Sequence, residues 1–151
     1  MISGVRYVHT NLIARDWRRL ADFYIRLFGC VLVLPERNYS GPELEAGTAV
    51  PGSSLAGAHL RLPGYGGNGP TLEIFTYSKF EERAPPTANG LGFGHLAFQV
   101  DSVREARAQV LDAGGTAIGD VVVLTTSTGG RVTWCYVADP EGNILELQSW
   151  Q

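Results

Sequence analysis

Apolar and polar positions follow one order along this chain, and that order runs twice. Residues 5–13 (Val-Arg-Tyr-Val-His-Thr-Asn-Leu-Ile) alternate with the two-residue period of a strand. Asp16 stands where a helix N-cap belongs. After it Trp17, Leu20, Phe23, Tyr24, Leu27 and Phe28 recur at three- and four-residue steps, which predicts a helix closed by Gly29. A strand from Cys30 to Leu34 is expected to stop at Pro35. Residues 36–55, rich in Gly, Pro and Ser, read as a long loop or a strand with an insertion. Alternation resumes in Ala58-His59-Leu60-Arg61-Leu62, and a Gly-rich hairpin over residues 64–70 leads into a strand at residues 71–77.

A linker at residues 79–90, holding Pro85-Pro86 and Asn89-Gly90, marks the midpoint, and the order then begins again. Residues 92–100 read as a strand. Ser102 and Glu105 form a capping box for a helix with Val103, Ala106 and Val110 on one side, ended by Gly114-Gly115. Strands follow at residues 117–124, 131–138 and 143–149, the last two joined by the turn Asp139-Pro140-Glu141-Gly142. Each half therefore reads strand, helix, strand, strand, strand, with one module over about 4–78 and another over about 91–151. The expected fold is α+β: two tandem βαβββ modules forming a curved mixed β-sheet around a metal cleft, in a single domain.

The repeat singles out four side chains. Val8-His9 aligns with Gly94-His95, each histidine a few residues ahead of its helix. Each half ends in a strand with one acid between large aliphatics, Leu72-Glu73-Ile74 and Leu145-Glu146-Leu147. Sixty-four residues separate His9 from Glu73 and 51 separate His95 from Glu146; the extra 13 fall in the region 36–55. Of nine glutamates, only these two sit between large aliphatics on both sides. His59 has no histidine opposite it in the second half and reads as a structural or loop-proximal residue. Alternation places Tyr7, His9 and Asn11 on one strand face, with Val8 and Leu12 on the other. The same rule groups His95 with Phe93, Ala97 and Gln99; Glu73 with Phe75 and Tyr77; and Glu146 with Ile144, Gln148 and Trp150. An isolated carboxylate withdrawn from water needs a partner. Two acids and two imidazoles on such faces satisfy one another by holding a divalent cation, and this donor mixture suits Zn, Ni, Co, Mn or Fe better than Ca or Mg.

Composition narrows the picture. A net charge of −3 with pI near 5.6 supplies no basic field for nucleic acid. The Arg15, Arg18, Arg19 cluster reads as a solvated helix face. No apolar run approaches the roughly 20 residues of a membrane helix, and the start of the chain lacks a signal-peptide pattern, so a cytoplasmic protein is expected. Cys30 and Cys135 are too few for a disulfide framework and read as small buried hydrophobes.

At this point the chain resembles the vicinal oxygen chelate superfamily, which includes glyoxalase I, methylmalonyl-CoA epimerase, extradiol dioxygenases and bleomycin-binding resistance proteins. The resemblance covers nearly the whole chain. It rests on Val8-His9-Thr10-Asn11-Leu12, Ala21-Asp22-Phe23-Tyr24 with Leu27-Phe28-Gly29, Gly94-His95-Leu96-Ala97-Phe98, and residues 139–147. It implies paired βαβββ modules and a metal with open positions for a bidentate oxygen substrate, the ligand positions falling on His9, Glu73, His95 and Glu146. A His/Glu/His/Glu set looks most like glyoxalase I. The implied activity is a metal-dependent isomerase or lyase: the metal polarises a carbonyl and stabilises an enediolate or enolate of a small 2-oxo or acyl substrate, and a glutamate moves the proton. Glu146 is the expected base and Glu73 its counterpart. Tyr7, Asn11, Phe75, Tyr77, Phe93, Gln99 and Trp150 are the expected substrate-binding residues, the aromatic ones excluding water.

There is a departure from the family pattern. Glutathione-using glyoxalases resemble one another in an arginine four residues after the first ligand and an asparagine four after the second; here those positions hold Ile13 and Tyr77, which argues against glutathione as carrier. Two alternatives remain. One is an Fe(II) extradiol-type dioxygenase using His9, His95 and Glu146, and the other a non-catalytic drug-binding protein. The expected partners are a small-molecule substrate and a second copy of the chain in a homodimer, with neither nucleic acid nor membrane.

Overall fold

A strand exists only where a neighbour accepts its hydrogen bonds, and that rule sets most element boundaries here. The computed structural model describes residues Met1–Gln151. The chain forms two compact units, Met1–Glu82 and Arg83–Gln151. The division falls inside the Pro-rich stretch 79–90.

In the first unit the order is β1 (His9–Ile13), α1 (Trp17–Phe28), β2 (Val31–Ser40), α2 (Pro42–Thr48), β3 (Ser54–Arg61) and β4 (Thr71–Tyr77). The four strands make one mixed sheet in the order β1-β4-β3-β2, with β1 parallel to β4 and the other pairs antiparallel. β1 is shorter than its alternation suggests because β4 begins at Thr71, the partner of His9. The Val8 carbonyl still accepts from the Thr71 N–H at 3.1 Å, but residues 5–7 have no strand beside them, and Val8 is exposed rather than buried opposite His9.

Pro35 does not end the second strand. It lies on edge strand β2, in the stretch between Val33 and Arg37 where the pairing register shifts. An edge strand at an irregularity tolerates a residue without an N–H. The region expected as loop or insertion is thus the second half of β2, then α2 with Pro42 in its first turn, then β3. A short 3-10 turn at Gly66–Asn68 lies between β3 and β4.

The helix α1 is capped as the sequence dictates. The Asp16 carboxylate accepts from the backbone N–H groups of Arg18 and Arg19, and Gly29 closes the helix at a φ of 67°. Trp17, Leu20, Ala21, Phe23 and Tyr24 are its buried residues, and the helix packs on β3 and β4. Each fully buried Leu or Phe contributes about 1.5–3 kcal/mol relative to exposure. Of the three helix-face arginines, Arg18 grips Glu36 with two parallel hydrogen bonds of 2.7 Å each, and Arg15 pairs with Glu82.

The second unit runs β5 (Leu96–Gln99), α3 (Val103–Asp112), β6 (Thr116–Ala117), β7 (Val122–Thr125), β8 (Arg131–Ala138) and β9 (Ile144–Trp150). Its mixed sheet has the order β5-β9-β8-β6, with β7 also on β8 and only β5–β9 parallel. The expected strand at 92–100 shortens to β5 because β9 offers partners only from Leu145 to Gln148. The expected strand at 117–124 is two pieces, each pairing a different part of β8. Ser102 caps α3 by accepting from the Glu105 N–H, and Val103 and Val110 are its buried residues.

The β8–β9 turn is held by Asp139, which is 2% exposed. Its carboxylate accepts from the backbone N–H groups of Glu141 and Asn143 and from Nδ2 of Asn143, at 2.9 Å each. Gly142 takes a φ of 85° there. Both cysteines are buried and free.

Candidate metal centre

Glu73 belongs to β4, where Leu72 and Ile74 are fully buried. Alternation therefore sends the Glu73 side chain to the opposite face, where it is 13% exposed. Both of its oxygens have partners. Oε1 lies 2.9 Å from Nε2 of His59. Oε2 accepts from Nδ2 of Asn11 at 2.9 Å and lies 3.5 Å from Nε2 of His9. Register produces this cluster: Asn11, Glu73 and His59 are direct cross-strand partners on β1, β4 and β3. His9 precedes Asn11 by two residues and shares its face.

His59 is the site residue that sequence reasoning missed. Ala58 and Leu60 on either side of it are fully buried, so His59 points the other way, towards Glu73. Its Nδ1 hydrogen-bonds with Thr71 Oγ1 at 2.8 Å, and its ring meets that of His9 edge-on at 5.4 Å between centroids. Burial pulls the imidazole below its ordinary range, Arg37 and His9 add to that, and Glu73 opposes it. The neutral form that can ligate a metal is thereby favoured. A usable signal was present: His59 lies 14 residues before Glu73 across a Gly-rich turn, the spacing of two facing hairpin residues.

The second unit repeats the construction. Leu145 and Leu147 are fully buried, and Glu146 faces the other side of β9, its partners being Ala97 on β5 and Tyr136 on β8. His95, just ahead of β5, places Nε2 3.2 Å from Oε2 of Glu146. Its ring centroid is 5.0 Å from that of Tyr136. Ala97, Glu146 and Tyr136 thus occupy the places of Asn11, Glu73 and His59, so His59 does have a counterpart, and it is a tyrosine. Burial, then the charge of Glu146 and a hydrogen bond to it, raises the Tyr136 pKa. Trp134 meets Tyr136 edge-on at 4.9 Å, and its indole N–H is shielded from solvent without an acceptor.

The structure brings His9 to Glu73 and Asn11, and His95 to Glu146, each pair within its own unit. The other expected residues are placed as follows. Tyr7, ahead of β1, is exposed and its hydroxyl bonds Thr10. Phe75 is buried, its ring lying where a Cβ on Gly57 would stand. Tyr77, with Arg15, Trp17, Asn38 and Leu55, lines an open cleft of about 490 Å³ that His9, His59 and Glu73 do not line. Phe93 precedes β5 and is exposed. Gln99 pairs with Gln148 across β5 and β9, and Trp150 donates from Nε1 to Gln148 Oε1 at 2.7 Å.

Donors around one ion at about 2.0–2.2 Å stand roughly 2.8–3.6 Å apart. The His59–Glu73, His95–Glu146 and His9–Glu73 separations of 2.9, 3.2 and 3.5 Å fit that spacing. Imidazole nitrogen with carboxylate oxygen is also the donor chemistry of Zn, Ni, Co, Mn and Fe sites.

Comparison with known proteins agrees with the fold. The sequence pattern described as the Glyoxalase/Bleomycin resistance protein/Dioxygenase superfamily matches residues 6–147. A lactoylglutathione lyase from Escherichia coli O157:H7 is 27% identical over 143 residues, covering 95% of this chain and 91% of that protein. Among solved structures, a glyoxalase family protein from Bacillus cereus superposes with a TM-score of 0.80 at 17% identity, covering 99% of both chains. A glyoxalase I variant from Zea mays superposes with a TM-score of 0.63 at 20% identity, over 94% of this chain and 45% of that one. No helix is long and apolar enough to cross a membrane.

Proposed function

Because the chain belongs to the Glyoxalase/Bleomycin resistance protein/Dioxygenase superfamily, we propose that it is a metal-dependent isomerase or lyase of the glyoxalase type. In this proposal His9, Glu73, His95 and Glu146 are the ligands of one divalent ion, and a small 2-oxo or acyl compound is the substrate. The observation that carries it is the twofold occurrence of one arrangement: a strand acid between buried aliphatics, met at 3.5 Å and 3.2 Å by a histidine from the strand parallel to it or from the residue just before that strand.

A bound divalent ion supplies polarisation of a carbonyl and compensation of the charge that develops on its oxygen. The remaining chemistry belongs to the side chains. Glu146 takes the proton from the carbon beside the carbonyl and returns it to the neighbouring carbon, so that the reaction balances without oxidant or reductant. His95 and the Tyr136 hydroxyl orient that carboxylate. Glu73 is held more fully, by His59, Asn11 and His9, which suits a ligand better than a mobile base. Ile13 and Tyr77 offer no grip for the carboxylates of glutathione, so another thiol or acyl carrier is proposed.

The test is a screen of 2-oxoaldehydes mixed with glutathione or other thiols, wild type against Glu146→Gln. Turnover by the wild type that is lost in the variant supports the assignment, and full turnover by Glu146→Gln overturns the choice of base.

A further inference from the structure

The two halves of the chain are equivalent in register but not in donors. At the position where the second unit places Tyr136, the first places His59, and an imidazole is a far better metal ligand than a neutral phenol. One ring nitrogen of His59, one of His9 and a carboxylate oxygen of Glu73 all lie within 4.8 Å of one another, and all three belong to one unit.

The other ring nitrogen of His59 is also engaged as a ligand's would be. Nδ1 lies 2.8 Å from the Thr71 hydroxyl, which fixes the ring with Nε2 turned to Glu73. A metal-bound histidine is commonly oriented by such a partner on its second nitrogen. Thr71 is itself the cross-strand partner of His9 on β1 and of Arg61 on β3, so the support is built into the same sheet. A histidine kept only for packing would not need its second nitrogen aimed at a carboxylate that two other side chains already hold.

We propose that His59 is a further ligand of the metal ion, forming with His9 and Glu73 a three-donor set contained within residues 1–82. This rests on the metal-dependent function proposed above but assigns a ligand beyond its four, and it makes the first half the principal anchor.

The chain has three histidines in all, so counting imidazoles decides the matter. Wild type and His95→Gln are loaded with Co(II), and the imidazole ligands are counted by X-ray absorption. The expected result is three imidazoles on the wild-type ion and two in folded His95→Gln, which can then only be His9 and His59. One imidazole in His95→Gln, or no bound cobalt in that variant while it remains folded, overturns the proposal. Should His95→Gln not fold, His59→Gln decides in its place. Cobalt affinity lowered by more than the roughly 10–100-fold typical of losing a mere supporting partner upholds the proposal, and a smaller change overturns it. If the wild type binds cobalt through two imidazoles and His59→Gln matches it, the four-ligand function stands while this inference falls. If the wild type binds no cobalt, both fall.

Discussion

At the scale of single residues, environment holds two chemically identical acids differently. Glu73 has a partner on each oxygen, whereas Glu146 meets one histidine and one phenol. Replacing Glu146 by Gln keeps the shape and removes the proposed base, and kcat for the best substrate should fall by about 10²–10⁴-fold. A loss confined to KM, with kcat unchanged, would show that this carboxylate only binds. The thiols stand at the opposite extreme. Burial pushes the Cys30 thiol up to about 11 and raises that of Cys135 as well. Both stay protonated at pH 8, and only the thiolate is nucleophilic. A disulfide reagent at pH 8 should therefore label neither cysteine until denaturant is added. Rapid labelling of one thiol in the native protein would contradict this.

At the scale of elements, the site depends on how closely β3 and β4 approach beside His59 and Glu73. Gly57 pairs with Phe75, and a Cβ placed on it would stand 2.0 Å from the backbone carbonyl of Ile74. Gly57→Ala should therefore destabilise the protein by about 1–3 kcal/mol, as overpacking does, seen as a lower urea midpoint. The β8–β9 turn has a comparable dependence. Asp139→Ala leaves two backbone N–H groups and the Asn143 amide without their acceptor, which should lower stability by about 1.5–3 kcal/mol. A change under about 0.5 kcal/mol would show that water replaces the carboxylate there.

Elements were legible in the sequence where a local signal decides them. The Asp16 cap, the α1 apolar stripe, Gly29, the Ser102 cap and the strand Thr71–Tyr77 all lie where they were read. The readings failed where partners decide. Residues 5–7 and 92–94 alternate like strand but have no strand partner, and β2 continues through Pro35 because an edge strand can spare that N–H. His59 was missed for a related reason. Its role comes from facing Glu73 across β3 and β4, and comparing the halves for identical residues hides a histidine that corresponds to a tyrosine.

At the scale of the whole molecule, two units with matching strand pairing carry matching acid–histidine pairs on the face away from their buried aliphatics. The repeat read from the sequence thus reappears as hydrogen-bond register, which a chance likeness of short motifs would not reproduce. The departures at Ile13 and Tyr77 also belong to this scale, because they distinguish this chain's proposed substrate carrier from glutathione. With methylglyoxal as the 2-oxoaldehyde, kcat/KM with glutathione should be no higher than with a simple thiol that lacks its carboxylates, and a large preference for glutathione would refute that. The most direct test of the central claim is metal stoichiometry and affinity, measured by calorimetric titration of metal-free protein with Ni(II). One ion per chain is predicted, with affinity for that same ion weakened by Glu73→Gln and by Glu146→Gln alike. No binding, two ions per chain, or an affinity that either substitution leaves unchanged would contradict it.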